Sequence, residues 1–256
     1  MIIVDNINIG EENSLALIAG PCVIEEENTY RIAKKLTEIT SELNIPFIFK
    51  CSWDKANRTK VENYRGTEEY AVETFEKIKK QLKVPILTDI HIPEQAKKWG
   101  EIVDVLQIPA FLSRQTDMLV AAGKYGKAVN VKKAQFMNPF EMKDVIKKIE
   151  STGNKNILVT ERGTSFGYDT LVVDMRSLVI LKEFGYPVVF DATHSIRMEN
   201  YPEWQKKFIL PLARGAVAIG VNVLFFEVHD DMDKALCDSK WMLDLKYLKS
   251  FLEDIR

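Results

Sequence analysis

Two sets of chemistry-bearing side chains stand at or just after the ends of short apolar runs. The first is cationic: Lys50, Lys55, Arg58, Lys132 and Arg162. Such a ring suits a substrate with several negative charges, most simply a phosphate together with a carboxylate. The competing account pairs each base with Asp54, Asp89, Glu161 or Asp191, which stand on the same strand ends and loops. The second set is Cys22, His194, Glu227 and Asp238. A soft thiolate, an imidazole and two carboxylates suit one divalent ion, Zn, Fe(II) or Mn. Cys237 adjoins Asp238 and competes as a ligand. Taken singly, Cys22 also fits a small buried hydrophobe, and His194 a structural histidine. His91 and His229 fall on the same rim, where they could orient neighbours or do chemistry.

The runs that carry these residues are Leu15–Ala19, Pro46–Lys50, Pro85–Asp89, Val103–Gln107, Ala128–Lys132, Asn156–Thr160, Pro187–Asp191 and Val223–Glu227. Each is short, rich in β-branched or aromatic residues, and too continuous to have one wet face. Parallel strands buried on both sides read this way. Helical spacing lies between them, as in Ile32, Leu36, Ile39 and Leu43, or Val72, Phe75, Ile78 and Leu82 after a candidate cap at Thr67. Asn138-Pro139 with Glu141 forms a helix start. Val172–Phe184 is expected to be a helix ending at Gly185. Trp204–Ile219 is expected to be one kinked or split at Pro211, and Met242–Leu252 closes the chain. Units of about 30 residues, repeated over roughly 240, point to an α/β fold, a (β/α)8 TIM barrel. A doubly wound open sheet is the alternative, but it would normally use fewer strands and a Gly-rich first turn. Ile2, Val4, Ile7 and Ile9 alternate as an N-terminal β-hairpin capping the bottom of the barrel. Residues 1–256 are expected to form a single catalytic domain. In such barrels chemistry sits at the carboxyl ends of the strands, where the polar residues above are found.

Composition narrows the function further. The chain has 256 residues, 46% hydrophobic, with 35 Lys+Arg against 37 Asp+Glu. A near-neutral balance excludes a general nucleic-acid-binding field. No apolar run approaches the ~18 residues of a membrane span. The first residues lack the pattern of a secretory signal. Three cysteines rule out a disulfide scaffold and fit a reducing cytoplasm.

Several motifs resemble one family nearly end to end and in order. They are Gly20-Pro21-Cys22, Lys55-Ala56-Asn57-Arg58-Thr59, Gln107 to Leu112 with Arg114-Gln115-Thr116-Asp117, Asn130-Val131-Lys132-Lys133, Arg162-Gly163 with Phe166-Gly167-Tyr168, and Asp191-Ala192-Thr193-His194. Together they resemble the 3-deoxy-D-manno-octulosonate 8-phosphate (KDO8P) synthases. Lys-Ala-Asn-Arg separates these from the sister 3-deoxy-D-arabino-heptulosonate 7-phosphate (DAHP) synthases, which usually have Lys-Pro-Arg. Cys22 resembles the metal-dependent class, because the metal-independent class has Asn there.

The resemblance implies condensation of phosphoenolpyruvate (PEP) with arabinose 5-phosphate in the cytoplasm, for lipopolysaccharide precursor synthesis. It implies that Lys50, Lys132 and Arg162 hold PEP with Ser52 and Gln107, and that Lys55 bridges PEP and the attacking water. Asn57, Arg58 and Thr59 would take the sugar phosphate, Asp89 would lie near the sugar, and Arg114 would reach across from a neighbour in a homotetramer. Cys22, His194, Glu227 and Asp238 would be the metal ligands. Adding water to C2 requires a general base, and the candidates are a metal-bound water, Asp238, or His194 acting through water. The chain departs from the family in two loops. Ser195–Trp204 lacks glycine, and Ser239 follows Asp238 where Gly or Ala is usual. A DAHP synthase, another PEP–aldose condensing enzyme, or a non-catalytic phosphosugar-binding barrel are the alternatives.

Overall fold

The computed structural model describes residues 1–10, 14–168, 170–198 and 201–255. The chain opens with an antiparallel hairpin of β1 (Ile2–Val4) and β2 (Ile7–Ile9). There follow β3 (Ala16–Gly20), α1 (Glu26–Glu42), β4 (Phe47–Lys50), α2 (Glu68–Leu82), β5 (Ile86–Asp89) and α3 (Gln95–Ile102). The next elements are β6 (Val105–Ile108), α4 (Thr116–Tyr125), β7 (Ala128–Lys132), α5 (Met142–Glu150) and β8 (Ile157–Glu161). A short antiparallel ribbon, β9 (Thr164–Phe166) with β10 (Thr170–Val172), precedes α6 (Arg176–Lys182). The chain continues with β11 (Val188–Asp191), α7 (Pro202–Ile219), β12 (Val223–His229), β13 (Leu243–Asp244) and α8 (Leu248–Asp254).

Strands β3 to β8, β11 and β12 pair in parallel, and β11 also pairs with β12, so the sheet closes on itself. This is the eight-stranded barrel expected from the runs. All eight strands fall within a residue or two of them, and the hairpin sits where the alternation placed it. The outer faces of the strands pack on the helices, with Phe49, Leu106, Val159 and Phe226 meeting Leu36, Phe75, Trp99 and Phe251. No helix of the described residues is long and apolar enough to cross a membrane.

The barrel axis explains how the site is built. Alternate residues of a strand share a face. Ile48, Leu87, Val105, Ala128, Leu158, Val189 and Phe225 fill the axis, together with Ile2, Val4 and Ile9 of the hairpin. Two positions further along the same rows stand Lys50, Asp89, Gln107, Asn130, Thr160, Asp191 and Glu227, all buried. Lys132, at the end of β7, and Arg162, just past the end of β8, occupy the step above. One pleat therefore gives the barrel an apolar floor and an ionisable roof.

Three helix expectations need correction. Val172–Phe184 is not one helix: Thr170–Val172 is strand β10, and only Arg176–Lys182 is helical. Pro211 does not split α7, which runs through it. Met242–Leu252 holds β13 and a 3-10 turn, so helix α8 starts only at Leu248. Asn138 does cap as read, accepting from the Phe140 N–H at 3.0 Å while Glu141 accepts from the Asn138 N–H at 2.9 Å.

Candidate active site

A cleft of about 610 Å³ opens over the carboxyl ends of the strands. Lys50, Lys55, Asn57, Arg58, Thr59, Asp89, Gln107, Lys132, Arg162, His194, Glu227 and Asp238 all line it. A second cavity, about 290 Å³, lies at the other end of the barrel among Leu15, Leu17, Val217, Leu224 and Leu252; among the described residues, no titratable group lines it. Burial makes the charges in the first cleft consequential. Lys50 Nζ donates to Glu227 Oε1 at 2.6 Å, and Lys132 Nζ to Asp191 Oδ2 at 2.5 Å. Arg58 forms a fork on both carboxylate oxygens of Asp238, and its Nη2 lies 3.6 Å from Cys22 Sγ. Lys55 Nζ donates to Ser52 Oγ at 2.8 Å.

Three of the cations therefore do have carboxylate partners, though mostly not those the sequence offered. Asp54 is taken by Arg65 and Glu161 by Lys133, while Asp89 Oδ2 lies 3.2 Å from His91 Nε2. Arg162 differs from the rest. It is buried, and its Nε and Nη1 have no hydrogen-bond partner among the described residues. Burial lowers its pKa to about 10, against the pull of Asp191 and Glu161. Unpaired buried charge is costly, so this guanidinium is set to receive an anion. Its turn is fixed from behind: Glu161 Oε1 accepts from the N–H groups of Arg162 and Gly163 at 3.0 and 2.7 Å. A Cβ at Gly163, where φ is +92°, would meet the Ser195 carbonyl oxygen at 2.7 Å.

The second set converges beside the first. Gly20 lets this happen, because a Cβ there would lie 1.9 Å from the Lys50 carbonyl oxygen, blocking the turn that carries Cys22. Donor atoms of His194, Glu227 and Asp238 lie within 4.8 Å of one another, as do those of Cys22, Cys237 and Asp238. Asp191 accepts from the backbone N–H of Thr193 and of His194, and its Oδ2 lies 2.8 Å from His194 Nδ1. Burial would raise the Asp191 carboxyl, but His194 and Lys132 hold it far below its usual range. The ionised carboxylate accepts a hydrogen bond from Nδ1–H. His194 Nε2 then points a bare lone pair at Glu227 Oε2, 3.4 Å away. Burial lowers the imidazole pKa, favouring this neutral form. Two acceptors facing each other across that gap suit a cation, either a proton on Nε2 or a metal ion. Glu227 is itself kept ionised by Lys50 and His194 against the effect of burial. Asp238 is lowered to about 2 by Arg58, again despite burial. The thiol of Cys22 is raised by burial, by Cys237 and by Glu227. This donor set fits a borderline divalent ion, with a thiolate that forms only as the ion displaces its proton.

The expected residues thus meet around one pocket, with three exceptions. Cys22 is buried and does not line the cleft, although its Sγ lies 3.3 Å from Asp238 Oδ2. Ser52 acts through Lys55 rather than lining the cleft. Arg114 is exposed on the 113–115 turn and does not line it. Gln107 is oriented from behind, its Oε1 accepting from Asn130 Nδ2 at 3.0 Å, while Asn130 Oδ1 accepts from Thr160 at 2.6 Å. Residue-by-residue reading missed Gln135, Lys60 and Arg197, which also line the cleft, as do Lys240 and Trp241. Arg197 stands three residues after His194, and its guanidinium lies 5.3 Å from the centre of the Trp241 ring. The signal was available: both loops carry candidate metal ligands. Glu199 and Asn200 of the Ser195–Trp204 loop lie outside the described residues.

A barrel closed below and charged above belongs among the (β/α)8 enzymes that handle anionic substrates. Within that class, the chain belongs to the DAHP synthetase I family, whose model matches residues 1–255. Proteins named 2-dehydro-3-deoxyphosphooctonate aldolase are similar along almost the whole length. The one from Geotalea uraniireducens is 50% identical, covering 99% of this chain and 95% of its own. The one from Syntrophotalea carbinolica is 49% identical, with 98% and 93% covered. A third, from Cyanothece sp., is 48% identical, with 98% and 94% covered.

Proposed function

We infer that this chain is a KDO8P synthase, a transferase. It condenses PEP with D-arabinose 5-phosphate and water to give KDO8P and inorganic phosphate, for lipopolysaccharide precursor synthesis. The relatives' names supply the reaction. The reading of an anion site is supported by the buried Arg162 guanidinium, whose Nε and Nη1 have no partner among the described residues, in the cleft with Lys132 and Lys55.

As PEP C3 attacks the aldehyde, negative charge grows on the carbonyl oxygen and positive charge on C2. Water then adds to C2, and the C–O bond to phosphate breaks. In this reading Lys50, Lys132 and Arg162 hold the PEP carboxylate and phosphate, with Ser52 and Gln107 assisting. They keep two mutually repelling anions at reacting distance. Lys55, steadied by Ser52, bridges PEP and the water. Asn57, Arg58 and Thr59 receive the sugar phosphate, and Asp89 lies beside the sugar. Arg114, exposed on its own subunit, reaches a neighbour's pocket in a homotetramer. His194 through Nε2, or Asp238, accepts the water proton. Cys22, His194, Glu227 and Asp238 would hold a divalent ion, Zn, Fe(II) or Mn, which supplies Lewis acidity near the aldehyde oxygen. Residues 1–256 act as one catalytic domain. Three free cysteines suit a cytoplasmic location.

The test is to incubate the protein with PEP and either arabinose 5-phosphate or erythrose 4-phosphate, and to follow PEP loss and phosphate release. Arabinose 5-phosphate is the expected acceptor. Preference for erythrose 4-phosphate would convert the reading to a DAHP synthase, and binding without phosphate release would overturn catalysis. Chelation is expected to abolish turnover, and Zn or Mn to restore it. Full activity after complete metal removal would refute the metal.

A further inference from the structure

Cys237 is half-buried, packs against the cluster of Cys22, Val23 and Met242, and has no part in the reaction described above. Its position is unusual. Adjacent residues of an extended chain point to opposite sides, yet Cys237 and Asp238 both turn toward Cys22. The cause is local. Asp238 has φ +54°, in the left-handed region, and its carbonyl accepts from the Trp241 and Met242 N–H groups at 2.8 and 3.2 Å. A non-glycine residue held in that region stores strain that the surrounding structure must overcome, and such strain gathers at functional sites. Here it brings two consecutive donors to one place. The sulfurs of Cys22 and Cys237 and a carboxylate oxygen of Asp238 lie within 4.8 Å of one another. Asp238 is also a member of the cluster with His194 and Glu227, so the thiol pair and the nitrogen–oxygen group meet at a shared carboxylate.

We propose that Cys237 is a metal ligand, so that the centre grips its ion through the paired sulfurs of Cys22 and Cys237. This rests on the metal reading above and goes beyond it by naming the ligand and the class of ion. Two sulfur donors shift a site toward thiophilic ions such as zinc and cadmium, and away from manganese, which prefers oxygen.

The experiment uses cadmium as the probe. The full chain, stripped of metal, is titrated with Cd2+, with bound metal measured by equilibrium dialysis and sulfur-to-cadmium charge transfer by ultraviolet absorption. Band intensity per bound ion counts sulfur ligands. The expected result is a twofold fall in Cys237→Ser and in Cys22→Ser, and loss of the band in the double variant. Cys51→Ser, altering a thiol packed among the barrel and helix residues, is expected to leave the band intact. Cys237→Ala serves as a second variant, with circular dichroism reporting the fold. A wild-type band that Cys237→Ser and Cys237→Ala leave unchanged overturns the ligand while the metal centre stands. A wild-type chain that binds no Cd2+ overturns the metal centre itself.

Discussion

Among individual side chains, Arg162 shows most directly how this chain sets stability against function. Its neighbours Lys50 and Lys132 are buried against carboxylates, whereas its own Nε and Nη1 have no partner among the described residues. A methionine would fill similar space without the desolvation cost. Arg162→Met is therefore expected to stabilise the ligand-free protein by about 1–3 kcal/mol. It is also expected to lower kcat/KM for PEP by about 10²-fold or more. Urea denaturation and steady-state kinetics read the two effects separately, and a destabilised variant would show that the guanidinium is satisfied within the protein. Lys50→Met should behave differently, because it strands Glu227 in the interior. A loss of about 3–5 kcal/mol is expected there. The candidate site was legible in the sequence to the extent that its residues end buried strands. Arg197, Lys240 and Trp241 were harder to read because loops set their direction, and no period governs a loop.

At the level of elements, the floor and the roof of the barrel are separable. Ile9 on β2 is 1% exposed and packs into the axial cluster, below the polar layer. Ile9→Ala should cost about 2–5 kcal/mol of stability and leave kcat/KM unchanged. Thermal melts beside PEP kinetics measure this, and a comparable loss of activity would mean that the hairpin shapes the site. The same elements show what sequence could reveal. Eight strands were readable because burial on both faces leaves continuous apolar runs, and Asn138 because its cap is chemical. Thr170–Val172 misled because its apolar residues pair across the ribbon with Thr164–Phe166 instead of lining a helix. Of the two outcomes expected at Pro211, the split does not occur: α7 is continuous through it, with Ile209, Ala213 and Ala216 buried in the core despite the lost hydrogen bond. The short helices Gln95–Ile102 and Thr116–Tyr125 gave too few turns for a period to emerge.

For the molecule as a whole, the buried His229 and the partly buried His194 set opposite limits on pH stability. His194 is neutral in the fold, burial having lowered its pKa from 6.5 despite Asp191. As pH falls below 6.5, the unfolded chain takes up that proton first, so stability declines. His229 is the reverse case. Burial would lower it, but Glu25, whose Oε2 lies 2.7 Å from His229 Nε2, raises it above 6.5. Its contribution is complete below 6.5 and is lost as pH rises through the folded value. The carboxylates add a second acid stage. Asp89, Asp191 and Glu227 all titrate in the fold below their ordinary 3.8 to 4.5, so stability falls further as pH drops below that range. Cys22 and Cys51, raised above 9.0 by burial, add an alkaline stage, because their unfolded thiols ionise first. The metal-free protein should therefore be most stable near pH 6.5, as read by urea unfolding across a pH series. His229→Gln should flatten the decline just above 6.5, and His194→Gln the one just below. Stability climbing steadily from pH 5 to 8.5 would show that the Glu25–His229 pair carries no charge in the fold.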